Sequence, residues 1–538
     1  MGFTNDPFII NLGGKGEKQV KQANSEAAMM LVRQLLKKKT ELKTNVDPFV
    51  VIGSCCNYSS STTNGNGGVV MSFGDGSHGA LGLPSSSIGL GIHAFEPTKI
   101  PNLPSNITSI GAGHYHSLAL TAQGEVWAWG RNNEFQLGRG KNGSFSTSLS
   151  WNEPKKVEGL EQVRVTRVFG SGVVSAAIGD DGSLWVWGKS KRGQLGIGKG
   201  VIESALPTRV DALAGEHIVK VSLGWGHALA YTEDGKLFGW GYCADGRLGQ
   251  IRETALVEGG IARSLPSLIS TSPEQQSPRS LLDMADKIVL EQMEKEKDMP
   301  IVWEPCLLQE TRDVLISDVA CGDDHSLLLS CSGALLSGGS NTYGQLGRPK
   351  EELGMSPVQM KYQPLSISSG LGHSLAVCQI PSSQGSGILT WGWNSNSQLG
   401  RAGPENIPML VQGLEGERPV SVAGGRVHSI ALTSKGELWV WGCGKNGRLG
   451  LGSSADEVEP IMVDYLEGLE VLQAVNKKEE PEKLKIEALA DIRFEDAFRA
   501  TLFAGWHHYG TQEEACSSLQ ELVMKQPSLL TLARIDVQ

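Results

Sequence analysis

The sequence predicts an all-β fold, a seven-bladed β-propeller closed by N- and C-terminal half-blades, with short helical extensions. Three observations favour it: a strand motif ending in Trp-Gly recurs along the chain, a Gly-x-x-His motif precedes most of its copies, and glycine is abundant. The 538 residues include 68 glycines, well above the usual share of about 7%. Glycines spread without a collagen period are typical of tight turns between short strands.

The Trp-Gly motif marks one strand in each repeat. Its clearest copy, Val126–Gly130, alternates tryptophans with smaller residues and is followed by Gln136–Gly138. Repeats of about 50 residues that each supply four short strands fit the blades of a propeller. The copies end in the glycines Gly74, Gly130, Gly188, Gly241, Gly339, Gly392 and Gly442.

The Gly-x-x-His motif begins the strand before it. The run His116–Leu120 alternates, a glycine turn follows, and Val126–Trp129 alternates again, which predicts a hairpin. A lone hairpin cannot bury its apolar face, so the units must stack. Gly172–Ser175 is interpreted as the same element with Ser175 in place of the histidine. The histidines of the motif are His116, His227, His325, His373, His428 and His508.

The two ends of the repeat array are complementary. The first strand, 69–74, lacks a clear Gly-x-x-His before it, and the last Gly-x-x-His, 505–508, lacks a Trp-Gly strand after it. We therefore expect 501–510 to pair with 69–74 and so remove free sheet edges. The predicted domains are a helical extension over 1–48, the propeller over 49–510 with insertions at about 251–312 and 471–495, and a helical tail over 511–538.

Composition narrows the location and the partners. The net charge of −10 argues against a surface coated for nucleic acid. The nine cysteines include no Cys-x-x-Cys pair, which favours free thiols in a reducing compartment. We find neither a secretory signal nor an apolar run of the roughly 18 residues that a membrane span needs. We therefore expect a protein of the nucleus, the cytoplasm or both, without membrane contact.

The repeated histidines are interpreted as structural rather than as ligands. Metal ligands must converge within about 2.1 Å of one ion, whereas one histidine per blade is spread around a ring. We expect each histidine to bond to a neighbouring turn. Gly193–Lys199 has phosphate-loop spacing, but Gly200 stands where Ser or Thr should hold Mg²⁺. The sequence thus predicts no catalytic residues, no cofactor and no metal site.

The ordered repetition of the two motifs over about residues 65–510 resembles the regulator of chromosome condensation repeat family. The resemblance implies a propeller with a protein-binding rim and a regulatory role, in the nucleus or at chromatin, with histones among the candidate partners. In the founding branch, an exchange factor for a small nuclear GTPase, carboxylates and a histidine help to expel nucleotide. Asp323, Asp324 and His325 match that pattern, so guanine-nucleotide exchange on a small GTPase is the alternative function.

The ultraviolet-B photoreceptor branch of the family needs stacked tryptophans in successive loops. Trp225 and Trp506 occupy such loops, but Asp323 and Leu371 lie in the loops between them. Photoreception is therefore not expected.

Cations in the turns after the Trp-Gly strands predict where partners bind. Equivalent turns lie on one face of a propeller, so this face is expected to be basic although the whole chain is acidic. It would bind an anionic partner, an acidic protein patch in preference to a nucleic-acid backbone. The predicted partner-binding residues are Arg131, Lys189, Arg192, Arg247, Lys445 and Arg448.

Overall fold

The described part of the chain forms seven four-stranded sheets, which confirms the all-β, seven-bladed prediction. All of it belongs to one compact unit, Pro48–Gln538. No helix in it is long and apolar enough to cross a membrane. The predicted helical segments 1–48 and 511–538 lie outside it. The computed structural model describes residues 49–52, 69–76, 78–84, 93–140, 152–249, 300–349, 354–381, 385–467 and 471–474.

The strands in these ranges are numbered in chain order. They are β1 (Phe49–Ile52), β2 (Val69–Gly74), β3 (Ala94–Lys99), β4 (Ile107–Ala112), β5 (His116–Thr121), β6 (Val126–Gly130), β7 (Lys155–Lys156), β8 (Val165–Ser171), β9 (Val174–Gly179), β10 (Leu184–Lys189), β11 (Glu203–Arg209), β12 (Ile218–Leu223), β13 (His227–Thr232), β14 (Leu237–Tyr242), β15 (Ile301–Leu307), β16 (Ile316–Cys321), β17 (His325–Ser330), β18 (Leu335–Gly339), β19 (Ser356–Pro357), β20 (Gln363–Ser369), β21 (His373–Ile380), β22 (Gly385–Gly392), β23 (Met409–Leu410), β24 (Pro419–Gly424), β25 (His428–Thr433), β26 (Leu438–Gly442), β27 (Glu457–Met462) and β28 (Val471–Ala474). Short 3-10 helices occur at Asp211–Leu213, Ala244–Gly246, Gln309–Thr311, Lys445–Gly447 and Asp464–Leu466.

Six blades follow one another along the chain, and the seventh combines its two ends. From the ring axis outward, blade 1 is β4 to β7, blade 2 is β8 to β11, and the pattern continues to blade 6, which is β24 to β27. Blade 7 has the order β28, β1, β2, β3. The innermost strands contact one another from blade to blade, so the apolar core lies between adjacent sheets.

The third strand of each blade carries the glycine of the Trp-Gly motif as its last residue or its last but one, and the backbone there requires glycine. Gly130 has a φ of +107°, and a Cβ built on it would lie 2.3 Å from the carbonyl oxygen of Tyr115. It pairs with His116 in the hairpin that the sequence predicts. The equivalent glycines of the other blades have φ between 93° and 112°. An L side chain would strain the backbone and collide with the preceding strand.

The outermost strands carry a feature that the sequence prediction missed. Each has a proline within it or directly before it, and an exposed sheet edge that lacks an N–H is a poor template for another strand. In six of the seven strands the proline lies three residues before a buried apolar residue, as in Pro97 to Ile100 and Pro460 to Val463, and this recurrence is the signal that marks the fourth strand. The prolines are Pro97, Pro154, Pro207, Pro305, Pro357, Pro408 and Pro460.

The ring closes between blade 7 and blade 1. The innermost strand of blade 7, β28, comes from the C-terminal half of the chain, whereas the other three come from the N-terminal side. The Gln473 side-chain oxygen accepts a hydrogen bond from the Ile110 amide (3.1 Å), and its Nε2 donates to the Ile110 carbonyl (3.3 Å). Strands from both ends therefore complete one blade, as predicted.

The neighbour of 69–74 differs from the prediction. Strand β2 lies between β1, to which it is parallel, and the antiparallel β3. Both of its edges are occupied, so the expected pairing with 501–510 is wrong. The apolar segment Phe49–Ile52, ahead of the first repeat, takes the edge instead, and β-branched and aromatic residues suit that place. Residues 501–510 lie outside the described residues.

Both predicted insertions extend too far. Ile301–Leu307, within the predicted insertion 251–312, forms the outer strand of blade 3. Val471–Ala474, within the predicted insertion 471–495, forms the innermost strand of blade 7. Neither strand carries the Trp-Gly or the Gly-x-x-His motif, which is why the repeat pattern did not include them.

Candidate protein-binding face

Two kinds of loop meet at one end of each of blades 1 to 6. Because neighbouring strands in blades 1 to 6 are antiparallel, the loop from the first to the second strand lies beside the loop from the third to the fourth. In blade 1 the Arg131 amide of the later loop donates to the Tyr115 carbonyl of the earlier one (2.8 Å). We call the surface formed by these loops the loop face, and the opposite end, with the second-to-third-strand turns, the turn face.

The motif histidines join neighbouring blades. His373 is fully buried, and its Nε2 lies 2.9 Å from the Ser429 hydroxyl of the next blade. That hydroxyl donates to the Gln398 carbonyl (2.8 Å), which also accepts the Trp441 indole N–H (2.9 Å). The partner is thus a serine of the next blade rather than the neighbouring turn that we expected. The same contact joins His116 to Ser175, His227 to Ser326 and His325 to Ser374.

These contacts account for the histidines without a ligand. Within the described ranges, no three His, Cys, Asp or Glu side chains are grouped as metal ligands would be. His428 is also buried at the start of its strand, whereas His508 lies outside the described residues.

Ser175 does not replace a histidine, contrary to the sequence interpretation. Val174 pairs with Gly188 as His116 pairs with Gly130. Val174 therefore occupies the histidine position, and Ser175 occupies the serine position that receives the neighbouring histidine. The motif in blade 2 was placed one residue too far along the chain, because Gly172 lies one place after the position that the motif glycine has in the other blades.

The seam between blades 2 and 3 has lost both members of the histidine–serine contact. Val174 stands in place of the histidine, and Ala228 pairs with Trp240 at the position that a serine holds elsewhere. The Gln194 side-chain amide crosses this seam instead and donates to the Gly224 carbonyl (2.6 Å). The histidine that would donate a hydrogen bond and the serine that would accept it are thus both missing from this seam.

Among the predicted partner-binding cations, Arg247 is a seam residue. It is 2% exposed, and its guanidinium lies 2.6 Å from Asp324 of the next blade and 3.2 Å from Asp245. This cation is therefore held inside the protein. Lys445 is exposed and Arg448 half-buried, with the Arg448 Nε donating to the Lys445 carbonyl (2.9 Å).

Two further predicted cations have carboxylate partners. Arg131 pairs with Glu134 (2.6 Å), and its guanidinium carbon lies 5.2 Å from the centre of the Tyr115 ring. Lys189 pairs with Glu203 at 3.4 Å. Local acids therefore offset part of the positive charge that the sequence placed on this face.

Arg192 is placed between two aromatic rings. Its guanidinium carbon lies 5.7 Å from the centre of the Trp225 ring and 5.6 Å from that of Tyr242. The Arg247 guanidinium lies 4.7 Å from the same Tyr242 ring. His114 stacks on Trp225 with ring centres 5.4 Å apart and planes inclined by 28°. Cations and rings thus alternate along the loop face from blade 2 to blade 3.

His114 of blade 1 reaches Trp225 of blade 3 because no side chain separates them. Gly172 occupies the corresponding loop position in blade 2, and its carbonyl accepts the His114 amide (2.9 Å). Its φ of 56° suits glycine. At this loop position, His114 of blade 1 and Trp225 of blade 3 each carry a ring, whereas Gly172 of blade 2 has no side chain.

A second aromatic cluster lies on blades 4 and 5. Tyr343 is 46% exposed and stacks on Trp393 with ring centres 5.4 Å apart. A Cβ built on Gly372 would lie 3.1 Å from the Tyr343 ring, so glycine leaves room for it. Sequence reasoning missed this pair, although the tryptophan directly after Trp391-Gly392 was a usable signal.

The residues matched to nucleotide exchange are divided between the surface and the interior. The Asp324 side chain is 50% exposed and pairs with Arg247. Asp323 is partly buried on the loop face. His325 is fully buried, and its Nε2 lies 3.0 Å from the Ser374 hydroxyl. Asp324 is therefore placed at the surface and Asp323 partly below it, while the histidine belongs to a seam.

A seven-bladed propeller that gathers aromatic and cationic side chains on one face is the class of protein that the fold and the site define. The chain belongs to the RCC1-like domain family, whose family model matches residues 69–477. This match covers every described strand except β1 and agrees with the resemblance seen in the sequence.

Similar proteins carry different functions. The chain is 28% identical to the Ultraviolet-B receptor UVR8 of Arabidopsis thaliana, over 74% of this chain and 79% of the receptor. It is 32% identical to the Secretion-regulating guanine nucleotide exchange factor of Bos taurus, over 58% of this chain and 61% of that protein. The solved structure of Prp20p from Saccharomyces cerevisiae, described with its binding properties to Gsp1p and histones, has a TM-score of 0.55 at 22% identity, over 73% of this chain and 84% of that one. The structural likeness shows the fold alone.

Proposed function

We propose that the chain is a non-catalytic, protein-binding platform with a regulatory role that engages its partner through the loop face. The observation that carries the proposal is the collection of Tyr, Trp and Arg side chains there, the residue types that dominate binding energy at protein interfaces. Tyr343, stacked on Trp393 and nearly half exposed, offers an aromatic anchor. Family membership supports a protein partner, and histones or a small GTPase are the candidates.

The loop face is also held in place before a partner arrives. The Trp225 amide donates to the Asp323 carbonyl (3.3 Å), and the Asp323 amide donates to the Leu371 carbonyl (3.1 Å). These bonds link the loops of blades 3, 4 and 5 around the axis. A surface that is ordered in advance loses less entropy on binding, which supports a role in recognition.

The test compares variants of the two faces of the full chain as bait in a cell extract, with captured proteins quantified by mass spectrometry. We expect Tyr343→Ala with Trp393→Ala to reduce capture of the proteins held by the wild type by roughly tenfold or more, as loss of anchor residues does. Lys236→Gln with Lys435→Gln, on the turn face, is the matched control and should capture as the wild type does. Capture that depends on the turn face and not on the aromatic pair would refute the proposal.

Guanine-nucleotide exchange is a second candidate, supported by the relative named for that activity and by the half-exposed Asp324. Release of a fluorescent GDP analogue from a panel of small GTPases measures it directly. Exchange predicts faster release with the wild type and loss of that acceleration with Asp324→Ala. Release at the intrinsic rate from every GTPase in the panel would discard this candidate and leave the binding platform untouched.

A further inference from the structure

Uncompensated positive charge on the loop face is concentrated beside Trp225. Arg247 faces two carboxylates and Lys189 faces Glu203. Arg192 and the exposed Lys191, in contrast, have no carboxylate within ion-pair distance among the described residues. Two adjacent cations therefore lack a counter-charge where the neighbouring ones have it.

Arg192 is also held in a fixed place. Trp225 and Tyr242 lie on it, and the chain leaves room at Gly226, where an added Cβ would meet the Arg192 Cδ at 2.5 Å. Its side-chain N–H groups make no hydrogen bond within the described residues. A guanidinium that rests on aromatic rings keeps its edge N–H groups for a planar, bidentate acceptor.

The surroundings favour a carboxylate over a nucleic acid. Binding of a single strand uses exposed aromatic faces on which bases stack, together with a run of cations. Trp225 is only 7% exposed, with His114 stacked on it and Arg192 beside it.

We infer that Arg192, held between Trp225 and Tyr242 and assisted by Lys191, is the docking point for an acidic segment of the partner protein. A glutamate or aspartate carboxylate accepts two hydrogen bonds from the guanidinium, and Lys191 adds charge attraction from the rim. The inference rests on the proposed function and deepens it, since it names the chemistry by which the loop face recognises its partner.

The experiment measures fluorescence anisotropy of a dye-labelled peptide with four consecutive glutamates in a Gly-Ser frame, titrated with the full chain at low salt. The matched probes are the same peptide with glutamines and a single-stranded DNA dodecamer. We expect the glutamate peptide to bind and the glutamine peptide not to bind. Arg192→Gln should weaken the binding by roughly tenfold or more, since hydrogen bonds between charged partners are about twice as strong as neutral ones.

One further variant separates the effect of charge at position 192 from the effect of side-chain geometry, and a second is a control away from the site. Arg192→Lys keeps the charge but loses the planar fork, and should weaken binding by roughly threefold to tenfold. Lys435→Gln, on the turn face, should leave it unchanged, and melting curves check that all variants fold. Failure of the wild type to bind the glutamate peptide, equal binding by Arg192→Gln, or tighter binding of the DNA would overturn the inference. Capture through Tyr343 and Trp393 tests the proposed function separately, because those side chains lie on other blades.

Discussion

The seam between blades 5 and 6 and the seam between blades 3 and 4 solve the same packing problem with different chemistry. In the first, the indole of Trp441 fills the space next to Gly400 and donates to the Gln398 carbonyl. In the second, glycine replaces the tryptophan at Gly338, and the Met355 thioether occupies the space, 2.7 Å from a Cβ built on that glycine. The volume between the sheets is filled in both.

Charge distinguishes the two seams as well. Between blades 3 and 4, Arg247 reaches Asp324 (2.6 Å) and Lys220 reaches Asp318 (2.5 Å). Both seams contain the histidine–serine contact, His227 to Ser326 and His373 to Ser429, and the 5–6 seam adds the neutral hydrogen bond of Trp441 instead of ion pairs. The comparison teaches that a blade seam tolerates a change of residue type when its neighbours change with it.

Removing the residue that fills each seam should give the largest effects. Trp441 is fully buried, so Trp441→Ala leaves a cavity and is expected to lower the free energy of unfolding by about 3 to 5 kcal/mol. Met355 is only half-buried, so Met355→Ala should lower it by about 2 kcal/mol. Urea denaturation followed by tryptophan fluorescence and circular dichroism measures both. An equal loss in the two variants would show that blade 4 depends on its methionine as much as blade 6 depends on its tryptophan.

Replacing the charge of the 3–4 seam with the residue common elsewhere should also destabilise the protein. Arg247 occupies the position of Gln136, Gln345 and Gln398 in other blades. Arg247→Gln restores that glutamine but leaves Asp324 without its cation, and hydrogen bonds to charged groups contribute about 1.5 to 3 kcal/mol. We expect a loss near 2 kcal/mol in urea. Lys236→Gln, which breaks an exposed ion pair with Glu216, is the control and should not shift the midpoint. A stabilised Arg247→Gln would mean that the repeat pattern outweighs the local pair.

The sequence predicted the features that recur from blade to blade. It did not predict the residues that replace a repeat residue in one seam together with a change in their neighbours. A Trp-Gly strand and a glycine that must adopt positive φ recur at Gly130 and Gly392 whatever their neighbours, so blade number followed from the motif alone. Met355 and Arg247 act across a seam on residues from other strands, and no local pattern shows which seam they face. The misplaced Ser175 has the same origin, because only pairing with Gly188 reveals which residue takes the histidine position.

Restoring the lost histidine–serine contact of the 2–3 seam should have a smaller effect. Val174→His alone places a buried ring without a partner and is expected to destabilise the protein. Adding Ala228→Ser should recover about 1 kcal/mol of coupling, the value of one net hydrogen bond. The matched cycle, His373→Val with Ser429→Ala, should give a similar coupling from the opposite direction. Zero coupling in the first cycle with a clear value in the second would show that Gln194 has taken over this seam.

Buried cysteines report how firmly two adjacent seams stay closed. The Cys321 Sγ lies 3.3 Å from the Ser222 carbonyl across the charged 3–4 seam, and Cys378 packs with Trp391 in the 4–5 seam. Burial raises the pKa of the Cys378 thiol to about 12. At pH 8 only about one part in ten thousand would be thiolate, so its alkylation requires opening. The exposed Cys331 is the internal control and should react first.

The response of cysteine labelling to salt distinguishes the 3–4 seam from the 4–5 seam. Raising NaCl from about 0.05 M to 1 M weakens the Arg247–Asp324 pair through screening of its half-exposed Asp324 side chain. We expect iodoacetamide labelling of Cys321, followed by peptide mass spectrometry, to accelerate by roughly twofold to threefold, while labelling of Cys378 stays constant. Equal acceleration at both cysteines would indicate that salt opens the ring as a whole. No change at Cys321 would mean that packing of Met355, rather than the ion pair, keeps the 3–4 seam closed.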